Sequence, residues 1–245
     1  MDRLVYTAMT GAKALMQRQE ALSHNLANAS TNGFQADIMS FRAVPVRADG
    51  TATTRVANLE ASASYDPAPG PLQQTGRSLD VAVRGSGWLV VQGADGNEAY
   101  TRNGSFALAA DGTLQTQSGL PVVGDGGPIV VPAQAQVTIG SDGTVSARVG
   151  NQPPSQIGKL KLVNPAPDEL TKGPDGLLRA RTGGPLPDDP AVRLADGVVE
   201  GSNVNVVDAM VGMIALSRQF ELQMKMMQTT ETNEQKATQL LSLKA

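Results

Sequence analysis

The chain contains no cysteine. Disulfides, thiolate metal centres and cysteine nucleophiles are thereby excluded, although the compartment is left open. Aromatic residues are scarce: one Trp, three Tyr and four Phe among 245 residues. Proteins that hold sugars or bases often stack them on aromatic rings, so this scarcity counts against such roles. No apolar run approaches the roughly 18–20 residues that cross a bilayer, and no membrane insertion is expected. The opening MDRLVYTAMTGAKALMQRQE does not read as a secretory leader, because Asp2 is acidic and Lys13, Arg18 and Glu20 break the pattern. The chain is expected to be made as a soluble cytoplasmic polypeptide and, if it leaves the cell, to leave without a cleaved Sec-type signal.

Charge is also missing. Twenty basic and 23 acidic residues leave a net charge of −3, with the basic groups scattered. No nucleic-acid surface is expected. The stretches that mark common enzyme classes, G-x-S-x-G, Walker A and H-E-x-x-H, are absent. His24 is the single histidine and has only Glu20 on its own helical face. It reads as a surface helix residue rather than a general base. No enzyme activity, cofactor or metal is expected.

What is present divides the chain into three zones. Residues 1 to about 30 hold no proline and show a helical period. Positions spaced by four and three from Met1 are Met1, Val5, Ala8, Ala12, Leu15, Gln19, Leu22, Leu26 and Ala29, a heptad-like apolar seam. Asn32-Gly33 supplies a stop, since both tolerate left-handed backbone angles. From about 31 to 203 the texture reverses. All fifteen prolines fall there, with seven Asp-Gly pairs starting at Asp49, Asp95, Asp111, Asp125, Asp142, Asp175 and Asp196. Between them lie β-branched runs such as LDVAVRG (79–85) and WLVVQG (88–93), a pattern of hairpins. The spacing of the pairs fits neither an EF-hand loop nor a calcium β-roll. From about 204 the helical period returns, with Val206, Met210, Met213, Phe220, Met224 and Met227 on one seam and asparagine caps in GSNVNVV before it.

These zones predict an α+β fold: paired long N- and C-terminal helices, coiled-coil-like, with an inserted all-β domain of hairpins. The expected divisions are a terminal helical assembly domain at 1–32 and 204–245, extended connectors at 33–75 and 181–203, and a β domain at 76–180. A helix with one apolar face cannot bury it alone. Methionine fills irregular partner surfaces well, and this composition suits packing between chains. The expected subunit-interface residues are Val5, Ala8, Ala12, Leu15, Leu22, Asn25, Leu26 and Asn28 at one end and Met210, Met213, Ile214, Phe220, Met224 and Met227 at the other. Asn25, Asn28 and Asn32, read as one helical face, would fix register between neighbours at some cost in stability. A competing reading, an enzyme cutting cell-wall glycan, needs two carboxylates in a cleft, for which Asp111 and Asp125 are the candidate pair. A β-rich adhesin is a third. Both leave the terminal seams unexplained.

The stretch SHNLANASTNGF (23–34) resembles the signature of bacterial flagellar rod proteins, Asn-Asn-x-Ala-Asn-x-x-Thr-x-Gly-Phe. Asn25, Ala27, Asn28, Thr31, Gly33 and Phe34 match it, and His24 stands at its first asparagine. Residues 75–124 resemble the β domain shared by flagellar rod and hook proteins, with Trp88 where that family often has Phe, and residues 202–228 resemble the family's C-terminal helix. Within the family, MDRLVYTAM, FRAVPV (41–46) and RQFELQMKMMQT look most like the proximal-rod type, with the distal-rod type as the near alternative. The resemblance implies a non-enzymatic structural subunit of the basal-body rod. It implies helices in the inner layer of a helical tube, a β domain outside, and torque carried across the periplasm. It further implies passage through the flagellar type III export apparatus and contact with copies of itself and other rod subunits.

Overall fold

The computed structural model describes residues 2–45 and 56–242, with side chains described for 8–45, from 64 onward and, near the C-terminus, only in part. Met1, Val46, the Asp49-Gly50 pair and the side chain of Val5 lie outside the described residues. The chain begins with helix α1 (Asp2–Ala27), followed by strands β1 (Asp37–Pro45), β2 (Val56–Tyr65), β3 (Leu72–Gln74), β4 (Val81–Arg84), β5 (Trp88–Gln92) and β6 (Glu98–Thr101). Twelve further short strands lead to helix α2 (Val206–Ser242). The chain splits into two compact units. One comprises Met1–Ala27, Asp37–Ser64 and Asn205–Ala245, so far as they are described, and the other Asn28–Ala36 and Tyr65–Val204.

The expected fold class is corrected by this arrangement. The helices, of 26 and 37 residues, make up only 26% of the chain, against eighteen strands among the described residues. The fold is mainly β, and its terminal part is not a coiled-coil pair carrying an inserted domain of local hairpins. The segment read as a connector over 33–75 holds β1, β2 and β3, with β1 and β2 forming a two-stranded sheet inside the helical unit. The second presumed connector holds strands Arg193–Asp196 and Val198–Glu200, which pair back onto β4 and β3. Where α1 and α2 meet, an amide and a glycine take part: Gln223 Nε2 donates to the Ala8 carbonyl at 2.9 Å, and a Cβ on Gly212 would lie 3.0 Å from Leu22 Cδ1.

In the β unit, β5 and β6 sit inside a five-stranded antiparallel sheet with Leu162–Val163, Leu178–Ala180 and Leu170–Lys172. β5 is apolar at consecutive positions because both its faces are covered. Leu89 and Val91 join a core with Val83, Phe106, Leu114 and Leu160, while Trp88 and Val90 join a second with Tyr65, Tyr100 and Leu178. A three-stranded sheet over Ala135–Ile139, Thr144–Val149 and Ser155–Lys159 buries alternate residues Val137, Ile139, Val145 and Ala147, as the period of a pleated strand requires.

Four Asp-Gly pairs close tight turns of one design. Gly96, Gly112, Gly143 and Gly176 have φ of 78°, 85°, 85° and 78°, where a side chain would be strained. In each turn the aspartate accepts the backbone N–H two residues on, from Asn97 at 3.3 Å, Thr113 at 3.0 Å, Thr144 at 3.1 Å and Leu177 at 3.3 Å. All four carboxyls lie below the usual aspartate range: Asp95 and Asp142 chiefly through side-chain hydrogen bonds from Asn97 and Thr144, and Asp111 chiefly through the Thr113 backbone N–H. For Asp175 the dominant cause is the side-chain bond from Arg179, whose guanidinium also approaches Asp95 at 3.5 Å and so ties two turns together.

Candidate functional site

The family-like motif 23–34 straddles the two units. In the helical unit, Asn25 is buried and its amide brackets one residue of β1. Asp37 N–H donates to Asn25 Oδ1 at 2.7 Å, and Asn25 Nδ2 donates to the Asp37 carbonyl at 3.0 Å. An amide can supply both halves of a strand-like pair, and asparagine is the shortest side chain that does so from a helix. His24 Nδ1 faces Asp37 Oδ2 at 2.5 Å, so the lone histidine braces the same junction. The reading of Asn25, Asn28 and Asn32 as one helical face is corrected: α1 stops at Ala27, and Asn28 and Asn32 lie in the turns after it. Asn28 accepts from Thr31 twice, its carbonyl from the backbone N–H at 3.1 Å and its Oδ1 from Oγ1 at 3.2 Å.

In the β unit, the rest of the motif closes on a buried ion pair. Gly33 has φ of 67°, and a Cβ there would run into the Asn103 backbone nitrogen. Its N–H donates to the Glu200 carbonyl at 2.7 Å. Phe34 is buried beneath the Lys172 ammonium, 3.9 Å from the ring centroid, and Lys172 Nζ also donates to the Gln35 carbonyl at 2.6 Å. Glu200 is 0% exposed and Arg102 4%. Arg102 Nη1 donates to Glu200 Oε2 at 3.0 Å, Gly70 N–H donates to Oε1 at 3.0 Å, and the Arg102 guanidinium stacks 5.0 Å from the Trp88 ring centroid. Asn203 completes the knot: its Oδ1 accepts Ala36 N–H at 2.7 Å, and its Nδ2 donates to the carbonyls of Asp66 at 3.0 Å and Ala68 at 2.9 Å. Three segments remote in sequence (28–36, 65–70 and 198–204) are therefore held by one carboxylate and one amide. A buried charge is tolerated only with such partners.

Sequence reasoning missed Arg102, Glu200, Gln35, Asp37 and Lys172. The one legible hint was Glu200 itself, an acid ending the apolar run VVE. Of the two asparagines in GSNVNVV read as cap candidates, Asn205 is the cap: its Oδ1 accepts Val207 N–H at 3.0 Å while Nδ2 donates to Asp208 at 2.7 Å.

The expected interface residues divide by exposure. Ala8, Ala12 and Asn25 are buried. Leu15, Leu22, Leu26, Asn28, Met213, Phe220 and Met227 are half-buried, and Met210, Ile214 and Met224 are exposed. Beside the exposed members stand apolar residues outside the expected interface set: Val206, Val207, Val211, Leu222 and Met226 on α2, Met9 and Met16 on α1, and Ile38 on β1. α2 thus carries apolar residues on more than the face that meets α1. A groove of about 410 Å³ between α1, α2 and β1 is lined by Arg18, Leu22, Asp37, Ile38, Gly212 and Leu216 among others.

Of the carboxylate pair of the hydrolase reading, Asp111 is engaged in its own turn, where its carboxylate accepts the Thr113 backbone N–H at 3.0 Å and its pKa is lowered by the Thr113 backbone and side chain. Among the described residues, no group of three or more His, Asp or Glu is placed to hold a metal ion, and no helix is long and apolar enough to cross a membrane.

Comparison with known families and proteins covers both units. Residues 5–35 match the model described as "Flagella basal body rod protein", 82–147 that of "Flagellar hook protein FlgE/F/G D1 domain", and 195–240 that of "Flagellar basal body rod FlgEFG protein C-terminal". The flagellar basal-body rod protein FlgF of Salmonella typhimurium is 46% identical over 99% of this chain and 100% of its own length. FlgF of Escherichia coli K12 is 44% identical over the same shares. FlgG of Buchnera aphidicola subsp. Schizaphis graminum is 34% identical over 96% of this chain and 98% of its own.

Proposed function

The chain belongs to the family of flagellar basal-body rod proteins, and from that premise we propose how it works as a rod component. It is a structural subunit of the bacterial flagellar basal-body rod. The likeness to FlgF relatives, at 46% and 44% identity against 34% for the FlgG relative, supports the proximal-rod type over the distal one. It acts by contact and not by catalysis, without cofactor, with copies of itself and other rod subunits as partners.

The observation that carries this reading is the apolar surface on the terminal helices. Eleven of the fifteen large apolar residues exposed among the described residues belong to the helical unit. Exposed apolar area of this kind marks an interaction surface, and its burial between chains contributes about 25 cal/mol per Å². Chains joined head to tail through unlike surfaces wind into a helix rather than close into a ring when the rotation does not close. The expected interface residues at both ends, Val5 to Asn28 and Met210 to Met227, belong to that contact. The β unit, with a complete core of its own, serves as the stiff outer part that resists twisting. Export through the flagellar type III apparatus and a final position in the periplasmic rod complete the proposal.

The test is complementation. In a flagellated host lacking its own homologous subunit, this chain is expected to restore swimming and to be recovered in purified basal bodies. The double variant Val211→Asp, Ile214→Asp is expected to fold and yet fail at both. Absence of the unmodified chain from basal bodies would contradict the reading.

A further inference from the structure

An aspartate or asparagine followed by glycine is chemically exposed, because glycine has no side chain to hinder attack of its backbone nitrogen on the preceding Cγ. The chain has seven Asp-Gly pairs, of which Asp49-Gly50 lies outside the described residues. In five of the other six the attacking nitrogen is tied down. The N–H groups of Gly96, Gly112, Gly143 and Gly176 donate to the carbonyls of Gly93, Ala109, Gly140 and Gly173 at 2.9, 3.0, 3.0 and 3.1 Å, and Gly197 N–H donates to the Asp80 carbonyl at 2.8 Å. At the first four the carboxylate also accepts the N–H two residues on. Carboxylates held below the usual aspartate range are poor electrophiles. The two Asn-Gly pairs are shielded as well. Gly33 N–H donates to the Glu200 carbonyl at 2.7 Å. Asn103 Oδ1 accepts Ser105 N–H at 3.1 Å, and a Cβ on Gly104 would lie 1.9 Å from the Val81 carbonyl oxygen.

Asp125-Gly126 differs. It forms the two-residue loop between the paired strands Val123–Gly124 and Gly127–Pro128. Both loop residues are exposed, and the space that a Cβ on Gly126 would enter is open. Among the described residues, no carbonyl accepts the Gly126 N–H and no donor reaches the Asp125 carboxyl. Exposure alone does not set this pair apart, since Asp111 and Asp142 are exposed too. We propose that Asp125 is a site of spontaneous modification, the one described Asp-Gly pair that its turn leaves open to isomerisation. The Gly126 nitrogen bonds to Asp125 Cγ, and a carboxyl oxygen leaves as water with the amide proton. Water then adds to the resulting succinimide and breaks the bond between the Gly126 nitrogen and the original main-chain carbonyl carbon of Asp125. The main chain now runs through Cγ, and an α-carboxylate is freed at the surface. One water leaves and one returns, so the mass is unchanged and no oxidant or reductant takes part. The product carries the group that isoaspartate-specific carboxyl methyltransferases modify. The lengthened loop also disturbs a close fit, since a Cβ on the adjoining Gly124 would lie only 2.9 Å from Ile129 Cγ1.

The sequence makes the test internal. Residues 103–148 hold no Lys or Arg before Arg148, so one tryptic peptide carries Asp111, Asp125 and Asp142. The full-length chain is aged at neutral pH, well below its unfolding temperature, and the peptide is read by electron-transfer fragmentation, which distinguishes the two linkages at each site. Isoaspartate is expected to form at Asp125 at least about tenfold faster than at Asp111 or Asp142, the effect of two turn bonds that those sites must first break. In guanidinium chloride the three rates are expected to converge. Gly126→Val, for which the open space leaves room, is expected to remove most of the product at Asp125 and to leave the other two sites unchanged. Equal rates at the three sites in the folded chain, or a faster rate at Asp111 or Asp142, overturn the proposal. An excess at Asp125 that persists undiminished in guanidinium chloride also overturns it, because local sequence rather than the turn would then set the rate.

Discussion

The two units of this chain solve the burial problem in opposite ways. The β unit holds thirty of the thirty-five buried apolar residues among those described, including Leu89, Phe106, Leu114 and Leu160, each 0% exposed. Among its described residues the helical unit holds five, four of them alanines and the fifth Leu216. The exposed apolar residues run the other way, with eleven in the helical unit and four in the β unit. A region that buries its leucines is stable by itself. One that buries alanines and exposes methionine, valine and isoleucine leaves its stabilisation to a neighbour. The contrast separates stiffness from adhesion within a single polypeptide, and each substitution below is aimed at one side of it.

The largest effect is expected at the ion pair that closes the β unit. Glu200→Ala strands Arg102 in a dry site and should cost about 3–5 kcal/mol. Trp88, the sole tryptophan, stacks on Arg102 and reports the unfolding of this unit alone in urea denaturation. A shift of the fluorescence midpoint no larger than that of a surface mutation would break the picture of a self-sufficient unit. Gly33→Ala comes next, at about 1–3 kcal/mol from the left-handed backbone alone, with the clash at Asn103 added. Leu216→Ala sharpens the comparison from the other side. It should cost about 2 kcal/mol, the low end of the range for a core leucine, because Leu216 lines the groove between α1, α2 and β1. Far-UV circular dichroism should show earlier helix loss while the Trp88 transition stays in place; equal shifts in both signals would merge the two units into one.

Smaller still is the effect of acid. The four turn aspartates, Asp95, Asp111, Asp142 and Asp175, are lowered in the folded state. The unfolded chain therefore binds more protons below the ordinary aspartate value, and stability present in full above about pH 4–5 is lost as pH falls through the folded values. Asp142→Asn keeps an acceptor for Thr144 and should flatten that acid slope slightly without moving neutral stability. An unchanged acid profile would count against the turn bonds. At the bottom stands Ile214→Asp on the helical surface, expected to change monomer stability by no more than about 0.5 kcal/mol while swimming fails.

The turns of the β unit were legible because aspartate followed by glycine has one low-energy use at such a corner, and the apolar run of β5 was legible from its β-branched residues. The fold class was not. Strands Arg193–Asp196 and Val198–Glu200 are short and interrupted by Asp196-Gly197, so they read as linker, and only pairing with β4 and β3 makes them strands. β1 and β2 were lost in a stretch that also read as linker. Of the candidate site, Gly33 and Asn25 stood out by motif. Arg102 and Glu200 did not, because they lie 98 residues apart and nothing local distinguishes a buried ion pair from two surface charges. The end of α1 was misplaced for a related reason: asparagines at helical spacing look alike whether they continue a helix or close it.

The central claim is that one unit is complete in a single chain and the other is completed by its neighbours. Amide hydrogen exchange on the dilute full-length chain tests it most directly. Amides of β4 and β5 should exchange only through global unfolding, while those of α2 over 206–227 exchange orders of magnitude faster and become protected when the chain is assembled. Equal, strong protection of both regions in the dilute chain would contradict the account.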